Sequence, residues 1–326
     1  MKAAWYSNNG KAREVLVLGE LPDPVPGPGE VRVKLATSGV NPSDVKSRMG
    51  RPLIAEKIIP HSDGAGVIDQ VGPGVAASRV GERVWLWNGQ WKRPFGTAAE
   101  YITLPQEQAV LLPAGVDFAA GACFGIPALT AVQAIRLAGP LQGKTVLVTG
   151  AGNAVGHYIT QLALLQGARV IGTAGAPARL QHARDAGAHE IINYKTEPVA
   201  QRILELTQGQ GVDVMLDMDF SSTSKLLGQG ALKAHGQLVC YGSNDMNEVA
   251  VSFRPLLWGS LGLKFFLVYE LSAEDRRETL ATLAGLLERK QLVHQIGQSF
   301  ALKDIAAAHE AVEGGQVVGN VVLTME

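Results

Sequence analysis

The sequence contains few of the residues that mark several classes of protein. Its 326 residues include only two cysteines, Cys123 and Cys240, and each lies inside an apolar run and not in a C-x-x-C pair. A disulfide framework and a cysteine zinc site are therefore excluded, and two buried free thiols in a reduced compartment are expected. The 29 basic and 30 acidic side chains give a net charge of −1. Nothing in this balance predicts binding to nucleic acid or to an anionic membrane.

Long apolar runs and clustered histidines are also missing. No apolar run reaches the ~18 residues that a membrane-spanning helix needs. The amino-terminal MKAAWYSNNGK becomes polar too early for a secretory leader. The seven histidines, at 61, 157, 182, 189, 235, 294 and 309, have no spacing typical of a metal site. These absences predict a cytoplasmic protein without a bound metal.

A strand, a glycine-rich turn and a helix follow one another over residues 144–167. The apolar residues 146–148 predict a buried parallel strand, and apolar residues at helical spacing come after the turn GAGNAVG. Without side chains at Gly150 and Gly152, the backbone can approach a pyrophosphate at the helix N-terminus. The stretch therefore predicts a dinucleotide site, and the alternative is an ordinary tight turn between a strand and a helix.

The periodicity of the chain changes twice. Residues 1–122 are rich in proline, glycine and short alternating strands, which is typical of a β-barrel-like domain. Strands and helices then alternate over 123–269, and short elements return over 270–326. We therefore expect an α/β protein in which a doubly wound, parallel Rossmann sheet is inserted into a split, β-rich first domain.

Six parallel strands are predicted in the inserted domain. They are expected at 145–149, 169–174, 190–192, 213–217, 237–241 and 261–270, with helices near 155–166, 177–186, 197–207 and 222–233. The sixth strand, LGLKFFLVYE, has a long apolar face at a sheet edge. It predicts a homodimer joined at 261–270, and a strand covered by its own chain is an equal alternative.

Several motifs, in order along the chain, resemble those of one known family. They lie at 27–50, 60–75, 81–101, 123–135, 148–156, 187–195 and 306–315. With them the sequence resembles the zinc-independent medium-chain dehydrogenase/reductases, and among these the quinone oxidoreductases related to zeta-crystallin. The resemblance implies a GroES-like barrel for the first domain. Ala154 and His61 stand where relatives often have glycine, and Asn320 where they often have lysine.

The end of the second Rossmann strand predicts which dinucleotide binds. An acidic side chain there would accept hydrogen bonds from the ribose 2′-OH of NAD, but residues 172–176 are Gly-Thr-Ala-Gly-Ala. The family resemblance implies that the residues at Arg179 and Tyr194 contact a 2′-phosphate, which a guanidinium binds well. NADPH is therefore the expected cofactor. The alternative for Arg179 is a solvated charge on a helix.

A longer set of cofactor-binding candidates follows from the resemblance and from the rule that ligands bind at the carboxyl ends of parallel strands. The candidates are Asn41, Thr130, Gly152, Asn153, Ala154, Val155, Gly175, Arg179, Tyr194, Tyr241, Gly242, Ser243, Phe266 and Val268. A cap at a helix start is the alternative role for Thr130.

The positions that hold zinc in other members of the superfamily lack suitable ligands here. By the resemblance they carry Asn41, Ser62 with Asp63, and Ile126, none of which is a thiolate or imidazole. Asn41 and Lys46 are the catalytic candidates: an amide that donates to a carbonyl oxygen, and a cation beside a developing enolate or quinol oxygen. Their alternatives are a cap in an Asn-Pro turn and a solvated loop charge.

Together these features predict an NADPH-dependent reductase of quinones or related α,β-unsaturated carbonyls, whose partner is a small molecule. Such electron-poor acceptors take a hydride without help from a Lewis acid. One alternative is an enoyl reductase acting on acyl thioesters. The other is a structural or sensor protein that binds NADPH with only incidental turnover.

Overall fold

The computed structural model describes residues 1–325, and the chain divides into two compact units. One comprises residues 1–126 with the chain from 293 onward, and the other comprises residues 127–292. The predicted return to the first domain at 270 is earlier than the observed one. The reason is a helix over 273–288 that packs within the second unit, where the Thr279 hydroxyl donates to the Gln133 side chain at 2.9 Å.

The first segment forms most of the β-rich unit. Its elements are β1 (Lys2–Trp5), α1 (Ala12–Val15), β2 (Val17–Glu20), β3 (Glu30–Val40), α2 (Pro42–Gly50), β4 (Asp63–Val71), β5 (Arg83–Leu86), β6 (Tyr101–Pro105), β7 (Ala109–Leu111) and α3 (Phe118–Gly121). Alternate residues of β3, such as Val31 and Val33, are fully buried, as the period of a half-buried strand requires.

The second unit alternates strands with helices. Its elements are α4 (Leu129–Ala138), β8 (Thr145–Val148), α5 (Ala154–Leu165), β9 (Arg169–Ala174), α6 (Pro177–Asp185), β10 (Glu190–Asn193), α7 (Val199–Leu206), β11 (Val212–Asp217), α8 (Phe220–Thr223), α9 (Lys225–Gly228), β12 (Leu232–Cys240), α10 (Phe253–Trp258), β13 (Gly262–Phe265) and α11 (Ala273–Glu288).

The strands of the second unit form one six-stranded sheet. All neighbouring pairs are parallel, in the order β10-β9-β8-β11-β12-β13. This order reverses beside β8 and corresponds to the Rossmann arrangement, so the prediction of a doubly wound sheet is confirmed.

The last segment returns to the first unit. It contributes β14 (Ile296–Ala301), α12 (Ile305–Glu313) and β15 (Asn320–Thr324). Strand β15 pairs antiparallel with β3, with Val322 opposite Gly39. The first unit therefore has a seven-stranded sheet in the order β14-β15-β3-β4-β5-β7, in which β6 also pairs with β3.

Two predicted elements of the second unit are shorter in the structure. The helix expected at 222–233 is the two short helices α8 and α9. The helical region ends early because Gly230 has a left-handed φ of 76°. The strand expected at 261–270 is only β13. After Phe266 the chain enters a 3₁₀ turn at Val268–Glu270, where the Val268 carbonyl accepts a hydrogen bond from Arg276 in place of a neighbouring strand.

No helix within residues 1–325 is both long enough and apolar enough to cross a membrane.

Candidate active site

The glycine turn after β8 is too crowded for side chains. Gly150 has a left-handed φ of 65°. A Cβ added at Gly152 would lie 2.3 Å from the backbone oxygen of Arg179, far inside van der Waals contact. The turn therefore brings its bare backbone up to the start of α6.

Helix α5 begins at this turn with a capped N-terminus. Asn153 is the N-cap residue, and its side-chain oxygen accepts a 2.7 Å hydrogen bond from the Gly156 N–H. The N–H groups of Ala154 and Val155 have no carbonyl four residues earlier within the helix, so they point outward from its positive end. The predicted residues Gly152 to Val155 thus lie together at a site suited to an anion.

A methionine that the sequence reasoning missed supports this turn. The Met218 sulfur, just after β11, accepts a 2.8 Å hydrogen bond from the Asn153 side-chain nitrogen and fills the space beside Gly150. No sequence signal pointed to this contact, because it joins residues far apart in the chain.

The end of β9 holds three further predicted residues. A Cβ on Gly175 would lie 2.4 Å from the ring of Tyr194, so the ring lies directly over this glycine. Tyr194 is 53% exposed, and Arg179 at the start of α6 is partly buried, with its backbone against Gly152. No carboxylate lies between 172 and 176, so a basic and an aromatic side chain line this end of the sheet.

Three other predicted residues follow β12 at the same edge of the sheet. The Tyr241 N–H donates to the Asp217 carbonyl at 3.0 Å, and Gly242 and Ser243 continue the loop. The Tyr241 hydroxyl is buried and has no hydrogen-bond partner within residues 1–325. Burial, with the nearby Asp217 and Cys240, raises the pKa of Tyr241 well above its ordinary value. A neutral buried hydroxyl without a protein partner is available to a ligand.

The remaining candidates of this unit have more local roles. The Phe266 N–H donates to the Cys240 carbonyl at 3.1 Å and extends the pairing of β12 with β13. The Val268 carbonyl is already bonded to the Arg276 guanidinium. Thr130 is buried inside α4, whose N-cap position is occupied by Ala128, so Thr130 is not the helix cap that was its alternative role.

Asn41 lies in the first unit, where two carboxylates hold it. It is the N-cap residue of α2, and its N–H donates to the Asp44 carboxylate at 2.8 Å. Its side-chain nitrogen donates to the Asp63 carboxylate, also at 2.8 Å. The capping alternative is therefore observed, and the bond to Asp63 fixes the orientation of the amide. The sequence did not predict Asp63 as a partner of Asn41.

The two carboxylates beside Asn41 are almost inaccessible to water. Burial, and then the charge of Asp44, raises the pKa of Asp63 well above 3.8 although the Asn41 bond opposes this shift. Burial raises the pKa of Asp44 to about 7, against hydrogen bonds from Asn41 and the charge of Arg51. A proton is therefore held on this pair of carboxyl groups near neutral pH.

Lys46 and Arg48 differ sharply in their surroundings. Lys46 lies on the exposed side of α2. Arg48 is fully buried, and its guanidinium donates to the Gly10 carbonyl and to the Glu313 carboxylate at 2.9 Å. Arg48 is therefore part of the packing between α2 and α12, whereas Lys46 is accessible.

The positions that match zinc ligands do not form a zinc site. Asn41 is bonded to Asp63, the Ser62 hydroxyl donates to the Gln90 carbonyl at 3.1 Å, and Ile126 is apolar. Among residues 1–325 no three His, Cys, Asp or Glu side chains converge as a metal site would require. An amide and one carboxylate do not fit the tetrahedral nitrogen and sulfur coordination that zinc prefers.

Comparison with known proteins agrees with this architecture. The family model described as the alcohol dehydrogenase GroES-like domain matches residues 27–114. The model described as zinc-binding dehydrogenase matches residues 154–285. The first lies within the β-rich unit, and the second lies within the unit with the parallel sheet.

Two relatives of known name span nearly the whole chain. A quinone oxidoreductase of Pseudomonas aeruginosa is 33% identical over 322 residues, which covers 95% of each chain. A 2-haloacrylate reductase of a Burkholderia species is 30% identical over 319 residues and covers 91% of each chain.

Solved structures show the same fold over the whole chain. The quinone oxidoreductase of Escherichia coli, complexed with NADPH, is 26% identical, with a TM-score of 0.89 and coverage of 99% of this chain and 100% of that one. A structure described as an NAD-dependent alcohol dehydrogenase is 29% identical, also with a TM-score of 0.89, over 100% of both chains. With these similarities and the relatives above, the chain belongs to the quinone oxidoreductase family of the medium-chain dehydrogenase/reductases.

Proposed function

We propose that this protein is an NADPH-dependent reductase of quinones and related α,β-unsaturated carbonyls that acts without zinc. The observation that carries the proposal is the end of β9, where the Tyr194 ring lies over Gly175, the backbone of Arg179 lies against Gly152, and residues 172–176 include no carboxylate. A guanidinium on helix α6, with no carboxylate at 172–176 to bind a ribose hydroxyl, favours a 2′-phosphate over a free 2′-hydroxyl. The relatives named quinone oxidoreductase and 2-haloacrylate reductase support the two acceptor classes.

The residues of the second unit fit this cofactor. Backbone N–H groups at 152–155 would hold the pyrophosphate, and Arg179 and Tyr194 would hold the 2′-phosphate. Because Gly175 has no side chain, the Tyr194 ring can lie directly over its backbone. The loop 241–243 supplies a buried hydroxyl that lacks a protein partner, and it would line the nicotinamide half together with Thr130, Phe266 and Val268. When bound, NADPH supplies the hydride equivalent that reduces the acceptor.

The residues of the first unit would act on the acceptor. The amide of Asn41 gives one hydrogen to Asp63, which leaves its second hydrogen to donate to a carbonyl oxygen of the acceptor or of the cofactor. Lys46 would place a positive charge near an oxygen on which negative charge develops. These donors polarise a carbonyl less than a bound metal ion does. The acceptor must therefore already be electron-poor, as quinones and enones are.

Turnover with a small panel of acceptors tests the proposal. Purified protein with NADPH is offered an ortho-quinone, a para-quinone, a simple enone and an enoyl thioester, and the loss of reduced-nicotinamide absorbance is followed. Fast turnover with the quinones or the enone is expected. Turnover with the thioester alone would instead identify an acyl-thioester reductase. Tight NADPH binding without oxidation by any acceptor would favour a structural or sensor role.

We further propose that the protein is a homodimer joined at the edge of its parallel sheet. Strand β13 is the last strand in the sheet order, and helix α10 directly precedes it in the chain. On these elements and just after β13 lie five well-exposed apolar residues, which we call the edge patch: Phe253, Leu257, Trp258, Phe265 and Leu267. Exposed apolar patches of this kind beside an open strand are typical of interfaces between copies of one chain.

We also infer that the protein works in the cytoplasm. Cys123 and Cys240 are both buried free thiols, the state that cysteines keep in a reducing compartment. Fractionation of cells of the source organism, with detection of the native protein in the cytosolic or another fraction, tests this inference.

A further inference from the structure

Asp219, just after β11, accepts an unusual number of hydrogen bonds on one buried carboxylate. One of its oxygens accepts from the Ser221 hydroxyl at 2.6 Å and from the Asn244 N–H at 2.8 Å. The other accepts from the Ser222 hydroxyl and from the Asn244 side-chain nitrogen, each at 2.8 Å. The residue is only 8% exposed. Both oxygens are therefore fully engaged by protein donors.

These bonds join two loops at the carboxyl edge of the parallel sheet. Ser221 and Ser222 belong to the loop and short helix after β11, whereas Asn244 belongs to the loop after β12. Backbone contacts reinforce the connection: the Phe220 N–H donates to the Gly242 carbonyl at 3.2 Å. Through its bonds to Asn244, Asp219 therefore holds the loop that contains residues 241–243.

The charge of Asp219 suits this role. Burial opposes the charged form, but hydrogen bonds from Ser221, Asn244 and Ser222 outweigh it, and the pKa of the carboxyl lies below its ordinary value. All four donors are neutral groups, and no basic side chain forms an ion pair with Asp219 within residues 1–325. Only an ionised carboxylate presents acceptors at both atoms to four such donors.

We propose that Asp219 is a positioning residue for the nicotinamide half of the dinucleotide site, because its carboxylate fixes the loop 241–244 against the loop after β11. The inference rests on the proposed function, in which residues 241–243 line that half. The adenosine half is held by other elements, Arg179 on α6 and Tyr194 after β10. Loss of the Asp219 carboxylate therefore affects one half of the ligand and spares the other.

The substitution Asp219→Asn tests this separation of the two halves. It keeps the shape of the side chain but places an N–H₂ group where an oxygen accepted from Asn244 or Ser222. The dissociation constant of NADPH is expected to rise about 10-fold or more, as the loss of charge-assisted hydrogen bonds does elsewhere. The dissociation constant of 2′,5′-ADP, which lacks the nicotinamide half, is expected to stay within about twofold of the wild-type value.

Two further variants separate positioning from general damage. Asp245→Asn removes the same charge from the neighbouring loop position, whose side chain bonds only to Asn247 within residues 1–325, and it should leave both constants unchanged. The double variant Asp219→Asn with Asn244→Asp exchanges donor and acceptor across the two loops. It should recover most of the NADPH affinity, because the new carboxylate can accept from the new amide.

The possible outcomes distinguish the two proposals. If 2′,5′-ADP fails to bind the wild-type protein, the proposed cofactor is wrong. If 2′,5′-ADP binds but Asp219→Asn weakens NADPH and 2′,5′-ADP equally, or weakens neither, the role of Asp219 is wrong. A thermal unfolding midpoint close to that of the wild type, with selective loss of NADPH affinity, is the result that supports it.

Discussion

At the scale of single residues, hydrogen bonding fixes the protonation of a buried histidine pair. The Thr97 hydroxyl donates to the Asp63 carbonyl at 2.5 Å, so the 2.7 Å contact between Ser38 and Thr97 must be donated by Ser38. Ser38 therefore accepts from His61 Nδ1, at 2.9 Å. Neutral His61 then accepts at Nε2, and the 2.9 Å contact between the two Nε2 atoms is donated by His309.

This chain of hydrogen bonds requires His61 to be neutral, and burial disfavours the charged form of both rings. Burial, and then the nearness of His309, lowers the pKa of His61 well below 6.5. Burial, and then the charge of Arg48, lowers the pKa of His309 to about 3. The unfolded chain binds protons on these histidines below pH 6.5, whereas the folded chain does not. The stability from the neutral pair is therefore complete above pH 6.5 and is lost as the pH falls towards 3.

The substitution His309→Gln should make stability less sensitive to acid. The glutamine N–H₂ can still donate to His61, but the buried imidazole that must stay uncharged at position 309 is gone. From pH 7 to pH 5 the free energy of unfolding should fall by about 2 kcal/mol less than in the wild type. This is the contribution that proton linkage gives for one histidine whose pKa is strongly lowered on folding. Urea unfolding at the two pH values measures this.

Exposed His235 provides the control for the histidine pair. His235→Gln should keep the pH dependence of the wild type. Equal pH dependence in His309→Gln and in the wild type would show that the buried pair is not the acid-sensitive group.

At the scale of elements, the edge of the parallel sheet is the proposed interface of the homodimer. Trp258 is 72% exposed at the end of α10, and Phe265 is 58% exposed on β13. Either Trp258→Glu or Phe265→Glu should convert a dimer into a monomer, because a charge in the edge patch would have to be buried without a partner. Light scattering during size-exclusion chromatography gives the mass directly.

An exposed apolar residue of the other unit serves as the control for the edge patch. Val25 is 76% exposed, and Val25→Glu should leave the mass unchanged. A wild-type protein that elutes with the mass of one chain at micromolar concentration would contradict the proposed dimer.

At the same scale, local sequence patterns predicted some elements well and predicted others too long. The strand, glycine turn and helix around residue 150 were predicted because the apolar run, the glycines and the helical period lie within one continuous stretch. Strand β13 and helices α8 and α9 were predicted too long. Their ends are set by the φ of Gly230 and by the bond between Arg276 and Val268, and apolar patterning does not report either feature.

At the scale of the whole molecule, the insertion of one unit into the other was predictable, and the contacts that organise the site were not. The change of period near residue 123 marked the insertion. The distant partners of Asn41 and Asp219, which are Asp63 and Asn244, lie 22 and 25 residues away along the chain, and only the folded sheets bring these loops together. Family resemblance pointed to Asn41 and Arg179, but it gave no signal for Met218 or Asp219, whose roles depend on contacts that form only in the folded chain.

The central claim, an NADPH-dependent quinone reductase, is tested most directly by cofactor selectivity. The measurement is kcat/KM for NADPH and for NADH with one para-quinone, in the wild type, in Arg179→Gln and in Arg184→Gln, which removes an exposed arginine from the same helix. We expect the wild type and Arg184→Gln to prefer NADPH, and Arg179→Gln to lose about 10-fold or more of that preference through a higher KM for NADPH alone. Equal use of both cofactors by the wild type, or an unchanged preference in Arg179→Gln, would contradict this account of the site.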